Sequence, residues 1–304
     1  MNSLSRKDFL LLIVLTLFWG LNWPVMKFGV THIPPVTFRV MGMFCSLPVM
    51  WLFARRMNES IVVPKEHILT LIRLAIPNIL ISQTMMIIGV KMLSSGRAAI
   101  LCYTMPVWAV IFSRLLFRTT LSKTALFGIV CAAAGALLLL SGDFSALSSG
   151  SAGTFIALGA AAVWGYGTVQ LRQKQIPIPT SSLTFWMIAF SASIMAMIAL
   201  IFERPLWQLP SSLEWAAILY NAICVFGIAT TIWNKMARTL PPVASGLSIM
   251  MVPVVGVFSG AWILSESPNW QDYVAMLLIL VSMSTVLLKP STSARKYFFM
   301  TGLF

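Results

Sequence analysis

Acidic side chains are scarce in this chain. Eight Asp and Glu are spread over 304 residues, beside two histidines and 21 Lys and Arg. Charged residues make up 10% of the total, against about 25% in a soluble domain. So little charge cannot cover a water-facing surface, and no polar block is long enough to build a separate soluble domain. Metal chemistry has no basis either. His32 and His67 stand far apart without an H-E-x-x-H pattern, and Cys45, Cys102, Cys131 and Cys224 lie singly inside apolar runs, where cysteine acts as a small core residue. No carboxylate, Ser-Lys or Ser-His cluster falls at membrane depth, which argues against an intramembrane enzyme. No cofactor and no metal are expected.

What is present is apolar: 59% of the residues are hydrophobic. Ten segments are of spanning length, roughly 9–30, 35–54, 68–90, 95–117, 124–141, 152–172, 181–202, 214–236, 241–264 and 270–288. The first has no small-residue cleavage site after it and reads as a retained span. The expected fold is an all-α integral membrane protein with ten transmembrane helices in the lipid bilayer.

The net charge of +13 would suggest nucleic acid in a soluble protein. Here the basic residues are scattered in short loops, so no nucleic-acid partner is expected and the charge reads as a topology signal. With the N-terminus inside, the inner segments carry fifteen basic residues: Arg6, Lys7, Arg55, Arg56, Lys65, Arg114, Arg118, Lys123, Arg172, Lys174, Lys235, Arg238, Lys289, Arg295 and Lys296. The outer segments carry four, Lys27, Lys91, Arg97 and Arg204, while Arg39 and Arg73 fall within spans. Both termini are therefore expected in the cytoplasm.

The chain also repeats itself. At a shift of 145, Trp19-Gly20 falls on Trp164-Gly165, Lys27 on Arg172, and Ile33-Pro34 on Ile178-Pro179. At a shift of 147, Leu93 meets Leu240, Pro106-Val107 meets Pro253-Val254, and Val110 meets Val257. The matches suggest two five-span halves, 1–147 and 148–304, joined near residues 142–152. Five is odd, so the second half enters the membrane from the opposite side. An inverted repeat of this kind points to an alternating-access transporter with a small-molecule solute bound between the halves.

These residues resemble a known family. "FWGLNWPVMKFGV" is similar to the first-span pattern of EamA-type carriers of the drug/metabolite transporter superfamily. "IPPVTFRVMG", with Arg39, resembles their second-span entry, and "GRAAILCYTMPVWAVIFSRLLF" their fourth span. "TIWNKMARTLPPVAS" is similar to their eighth-to-ninth connection, and "ASGLSIMMVPVVGVFSGAWILSESP", with Pro253 and Glu266, to their ninth span. The chain departs from the pattern at Met251-Val252, where the family often has a Glu, and at "FRTT", which lacks a mirror of Glu266. The resemblance covers the whole chain. It implies export or exchange of small metabolites, amino acids prominent among them, across the bacterial inner membrane. Multidrug or nucleobase export on the same fold is the alternative, followed by a non-transporting receptor, which has no need of an internal repeat.

All eight acids, Asp8, Glu59, Glu66, Asp143, Glu203, Glu214, Glu266 and Asp272, lie in loops or near span ends. That placement argues against a carboxylate relay for protons and leaves an organic cation without a counter-ion. A zwitterionic or neutral solute held by amides, hydroxyls and aromatic faces fits better. Trp19, Asn22, Trp23 and Met26 share one helix face. Asn22, Asn78, Gln83, Tyr103, Tyr166 and Asn221 either converge on a solute cavity or join helices by hydrogen bonds. Trp19 and Trp164 either line the path or pack. Arg39 is the one candidate for anion recognition, such as a carboxylate, the alternatives being a cap on carbonyls or an arginine reaching toward the surface.

Overall fold

The computed structural model describes residues 6–145, 150–174, 176–233 and 242–287. Lys235, Arg238, Lys289, Arg295, Lys296 and Leu240, on which part of the charge count and repeat rest, lie outside these. Among the described residues the chain is helical, without strands. Eight helices are long and apolar enough to cross a membrane: α1 Arg6–His32, α2 Pro35–Arg56, α3 Lys65–Met92, α4 Ser95–Phe117, α5 within Lys123–Ser145, α6 within Gly150–Gln173, α7 Thr180–Phe202 and α8 Ser212–Trp233. Two further apolar helices follow, α9 Pro242–Ile263 and α10 Trp270–Leu287. The chain is a multi-pass membrane protein.

Local chemistry sets the breaks. Prolines 34, 64 and 179 occupy the N-cap positions of α2, α3 and α7, where no amide hydrogen is needed. The segments after α2, α4 and α9 turn through left-handed residues Asn58, Arg118 and Ser265. Inside α4, Ser95–Cys102 and Met105–Phe117 are separate helical pieces joined by a turn at Tyr103-Thr104. Pro106 lacks the N–H that would bond the carbonyl four residues back. In α3 the stretch Ile76–Ile81, containing Pro77, is π-helical, and in α8 the stretch Asn221–Ala229 is too. Pro24 and Pro253 sit inside continuous helices.

Among the described residues the interior holds four apolar clusters, of which two form the main cores. The larger gathers Trp23, Met26, Met86, Ile100, Tyr103, Val107 and Val257, with Trp19 and Trp164 packed against it. The smaller joins α2 to α7 and α8 through Val40, Met43, Ile188, Met195 and Phe226. Very close approaches stitch helices together. A Cβ built on Gly20 of α1 would lie 2.4 Å from a methyl of Val255 in α9, and one on Gly165 of α6 would lie 2.8–2.9 Å from Trp108, the Ala109 nitrogen and the Met105 oxygen in α4. Only glycine fits such contacts, the small-residue packing that membrane helices favour. The close faces at Gly256, Gly260 and Gly128 are of the same kind, against Ala99 and Trp23, against Ser95, and against Thr285.

Candidate functional site

Asn22, Arg39 and Asn221 come together. Asn221 donates from Nδ2 to Asn22 Oδ1 at 2.6 Å, and its own Oδ1 accepts from Arg39 Nη1 at 3.0 Å. All three are buried, Arg39 at 2% exposure. The chain of bonds ties α1 to α8 and α8 to α2. Asn22 lies ten residues from the end of α1 at His32, and Asn221 nine from the start of α8 at Ser212. At about 1.5 Å per residue the amide pair is about 15 Å deep, half of a hydrocarbon core about 30 Å thick.

Arg39 sits where the two apolar cores meet. Nη2 contacts the thioethers of Met26 and Met86 at 3.1 and 3.7 Å, and the guanidinium lies 5.6 Å from the Phe226 ring centroid. Nε is buried without a hydrogen-bond partner. The guanidinium therefore neither reaches the surface nor caps a carbonyl, as two of the sequence readings would have it.

Tyr103 joins the surroundings of this cluster through Trp23, their ring centroids 6.1 Å apart. Trp19 stacks at a tilt with Trp233 at 5.7 Å. The remaining candidates make separate contacts. Asn78 donates to the Leu74 carbonyl of its own helix at 2.9 Å and packs against Gly167, where an added Cβ would lie 2.7 Å from its Cγ. Tyr166 accepts from Gln170 at 2.8 Å and meets the Phe112 ring at 5.5 Å. Trp164 is half-buried and its carbonyl accepts from Thr168. Gln83 is half-buried on α3.

Sequence reasoning missed the carboxylates at the helix ends. Glu203, just past α7, accepts from the Val36 and Thr37 amides and from the Thr37 hydroxyl, at 3.0, 2.7 and 2.7 Å, and so caps α2. Glu59, just past α2, accepts from the hydroxyl of Ser181 in the first turn of α7. Glu59 and Glu203, like Thr37 and Ser181, stand 144 positions apart. The shift that aligned the tryptophans, less one, would have found the pairs. Glu266 caps α4 through the Ser95 amide and hydroxyl at 2.7 and 2.8 Å. A shallow recess beside it contains the Arg97–Asp272 ion pair at 2.9 Å; its charged groups are engaged with protein.

Among the described residues no group of His, Cys, Asp and Glu is placed to hold a metal ion. What the Arg39 cluster offers is hydrogen-bond donors and a cation inside an apolar wall.

The EamA-like transporter family model matches residues 7–141 and again 151–288. Similar proteins include the Bacillus subtilis transporter YoaV, 24% identical over 88% of this chain and 92% of that one. The Escherichia coli K12 inner membrane transporter YedA is 26% identical over 91% of this chain and 89% of its own length. A probable amino-acid metabolite efflux pump of Salmonella typhimurium is 22% identical over 92% and 94%. A solved crystal structure superposes with a TM-score of 0.66 over 96% of this chain and 99% of the other at 19% identity, a likeness of fold. With two family matches that together span most of its length, this chain belongs to the EamA-like transporter family.

Proposed function

We propose that the protein is an alternating-access carrier of the bacterial inner membrane that exports small metabolites, amino acids and related zwitterionic or neutral solutes foremost. It has ten spans in two inverted repeats, 1–147 and 148–304, with both termini in the cytoplasm. The observation that carries this reading is the Arg39–Asn221–Asn22 chain, a charged, hydrogen-bonded cluster about half a bilayer deep in an otherwise apolar bundle. Polar groups at that depth are costly and mark solute pathways. Tyr103, through Trp23, supplies an aromatic wall beside it; Trp19 and Trp164 pack against the same apolar core, and Asn78, Gln83 and Tyr166 lie on α3 and α6.

Three structural correspondences support the repeat. The Gly20–Val255 contact has a counterpart in Gly165–Trp108 at the two shifts read from the sequence, 145 and 147. The π-helical stretches of α3 and α8 start 145 residues apart, at Ile76 and Asn221. Thr37–Glu203 and Ser181–Glu59 are the same contact made twice. Helices interrupted at equivalent places are what a carrier needs to rock one half against the other. The name of the Salmonella relative supports amino-acid-like cargo and the export direction.

The test is counterflow in liposomes loaded with an amino-acid mixture, with wild type and Asn22→Ala compared per folded molecule. Wild type should exchange labelled solute, and Asn22→Ala should lose at least half of that exchange while remaining monodisperse. Empty-liposome rates for wild type across the mixture would remove the carrier assignment.

A further inference from the structure

The transport reading leaves the charge of the cargo open, and the surroundings of Arg39 address it. In a guanidinium, Nε and one Nη present a flat edge that matches the two oxygens of a carboxylate. In Arg39 the Nη1 nitrogen is taken by Asn221, an oxygen acceptor. The other edge meets no oxygen: Nη2 faces two thioethers and Nε has no partner. Thioether sulfur is a weak acceptor, and Met side chains rearrange readily. Among the described residues no carboxylate bonds to Arg39. A permanent cation thus stands buried, with its best recognition edge closed only by soft, movable groups.

We infer that this Nε–Nη2 edge is the receptor for a carboxylate monoanion, with Met26 and Met86 holding its place in the empty carrier. The inference rests on the carrier reading and departs from it in one respect: it ranks monoanions ahead of the zwitterionic and neutral solutes named there. A monoanion neutralises the buried charge. A zwitterion presents the same carboxylate but brings an ammonium group, and among the described residues no acid bonds to Arg39 or its partners to receive it. The carrier therefore prefers carboxylates whose amine is absent to the matching amino acids. Asn221 stays on Nη1 and holds the guanidinium plane, linked through its amide to Asn22. The apolar tail of the solute lies against the Phe226 and Trp23 side of the cluster.

The experiment uses the purified full chain in detergent at neutral pH and four probes that differ only in head group. They are 3-phenylpropionate (monoanion), phenylalanine (zwitterion), phenethylamine (cation) and 3-phenylpropanamide (neutral), read by melting shift and by titration. The expected order has 3-phenylpropionate first, about tenfold or more tighter than phenylalanine, the cost of burying an ammonium group without a partner, with the amine giving no shift. Arg39→Gln should abolish the preference. Met86→Ala covers the case in which Arg39→Gln does not fold: it should lower the melting temperature of the empty protein yet strengthen 3-phenylpropionate binding severalfold. A residue that only packs would show the first effect without the second. The inference is overturned by phenylalanine binding as tightly as 3-phenylpropionate, by no binding of any probe, or by Met86→Ala lowering stability with no gain in affinity. Amino-acid counterflow that 3-phenylpropionate does not inhibit would also overturn it while leaving the carrier assignment intact. Carboxylate binding without counterflow of any solute would instead remove the carrier assignment and keep the anion site.

Discussion

At the scale of single residues, the few acids have a common task. Glu59, Glu203, Glu214, Glu266 and Asp272 each bond to a group in or beside the first turn of a helix. A helix N-terminus carries about half a positive charge and unpaired amides, so a chain with eight acids places most of them where that field is strongest. The caps are unequal. Glu203 satisfies two amides and a hydroxyl and is 8% exposed, whereas Glu59 meets one hydroxyl in a half-buried setting. Glu203→Ala should therefore lower thermal stability by about 1–2 kcal/mol, the upper range for a lost cap. Glu59→Ala should cost less than half as much, and Glu203→Gln should fall between them, since one oxygen acceptor remains. Melting in detergent ranks the three, and a larger loss for Glu59→Ala would show that the two caps do not divide the work in this way. The positions of these acids near span ends were readable from the sequence. Their partners were not, because a cap is a tertiary contact between helices far apart in the chain, and only the 144-residue shift hinted at which helix each one served.

At the scale of helices, the length of the apolar runs located the eight span-length helices among the described residues to within a few residues, since lipid demands about twenty apolar residues per span. The internal irregularities were less legible. Pro106 announced a disturbance in α4, and the structure puts the break at Tyr103-Thr104. Pro77 announced one in α3, yet the equivalent π-helical stretch of α8 contains no proline, so nothing in its local composition marked it. The grouping of Asn22, Arg39 and Asn221 was likewise hidden: each residue could be named, but the choice among three helices as neighbours depends on packing. The close glycine contacts give a prediction at this scale. In Gly20→Ala the new methyl meets a side chain, Val255, whereas in Gly165→Ala it meets backbone atoms of Ala109 and Met105 as well. Both changes should destabilise, by about 1–3 kcal/mol as overpacking does. Val255→Gly, which removes both the Cγ1 and the Cβ contact at 2.4 and 2.5 Å, should relieve the clash in the first case when compared with Val255→Gly alone, and Trp108→Gly should fail to do so in the second, because a backbone cannot retreat alone. Folded yield and melting temperature of the two double variants decide the matter; recovery in both would mean that α4 can shift as a body away from α6.

At the scale of the whole molecule, the two ends of the bundle treat positive charge differently. Where α1 and α3 finish, Lys27 donates to the Val90 and Lys91 carbonyls of α3, while Lys91 donates to the Val30 and Thr31 carbonyls of α1. The two lysines thus clasp each other's helix C-termini, where the dipole is negative, and Arg97 nearby is bound to Asp272. Arg204 at that end is exposed, whereas at the opposite end five basic residues are, Arg55, Arg56, Lys65, Arg118 and Lys123. The exposed charges are the ones able to meet an anionic lipid surface and to be held back during insertion; the tied ones serve the fold. This difference agrees in sign with the fifteen-to-four count along the chain, on which the end bearing most of the exposed charges is expected in the cytoplasm. A reporter enzyme that is active only after export should accordingly be silent when fused at Phe304 and active when inserted after Ser148. Neutralising the clasp with Lys27→Met and Lys91→Met should leave that pattern unchanged, because those charges are already spent on carbonyls, but should lower melting temperature. Replacing Arg55, Arg56 and Lys65 together by Gln should instead raise reporter activity at the C-terminus by removing the charges that hold that end inside. Activity at Phe304 with silence at Ser148 in the wild-type chain would turn the molecule over, and the Lys27–Lys91 clasp would then lie at the cytoplasmic end.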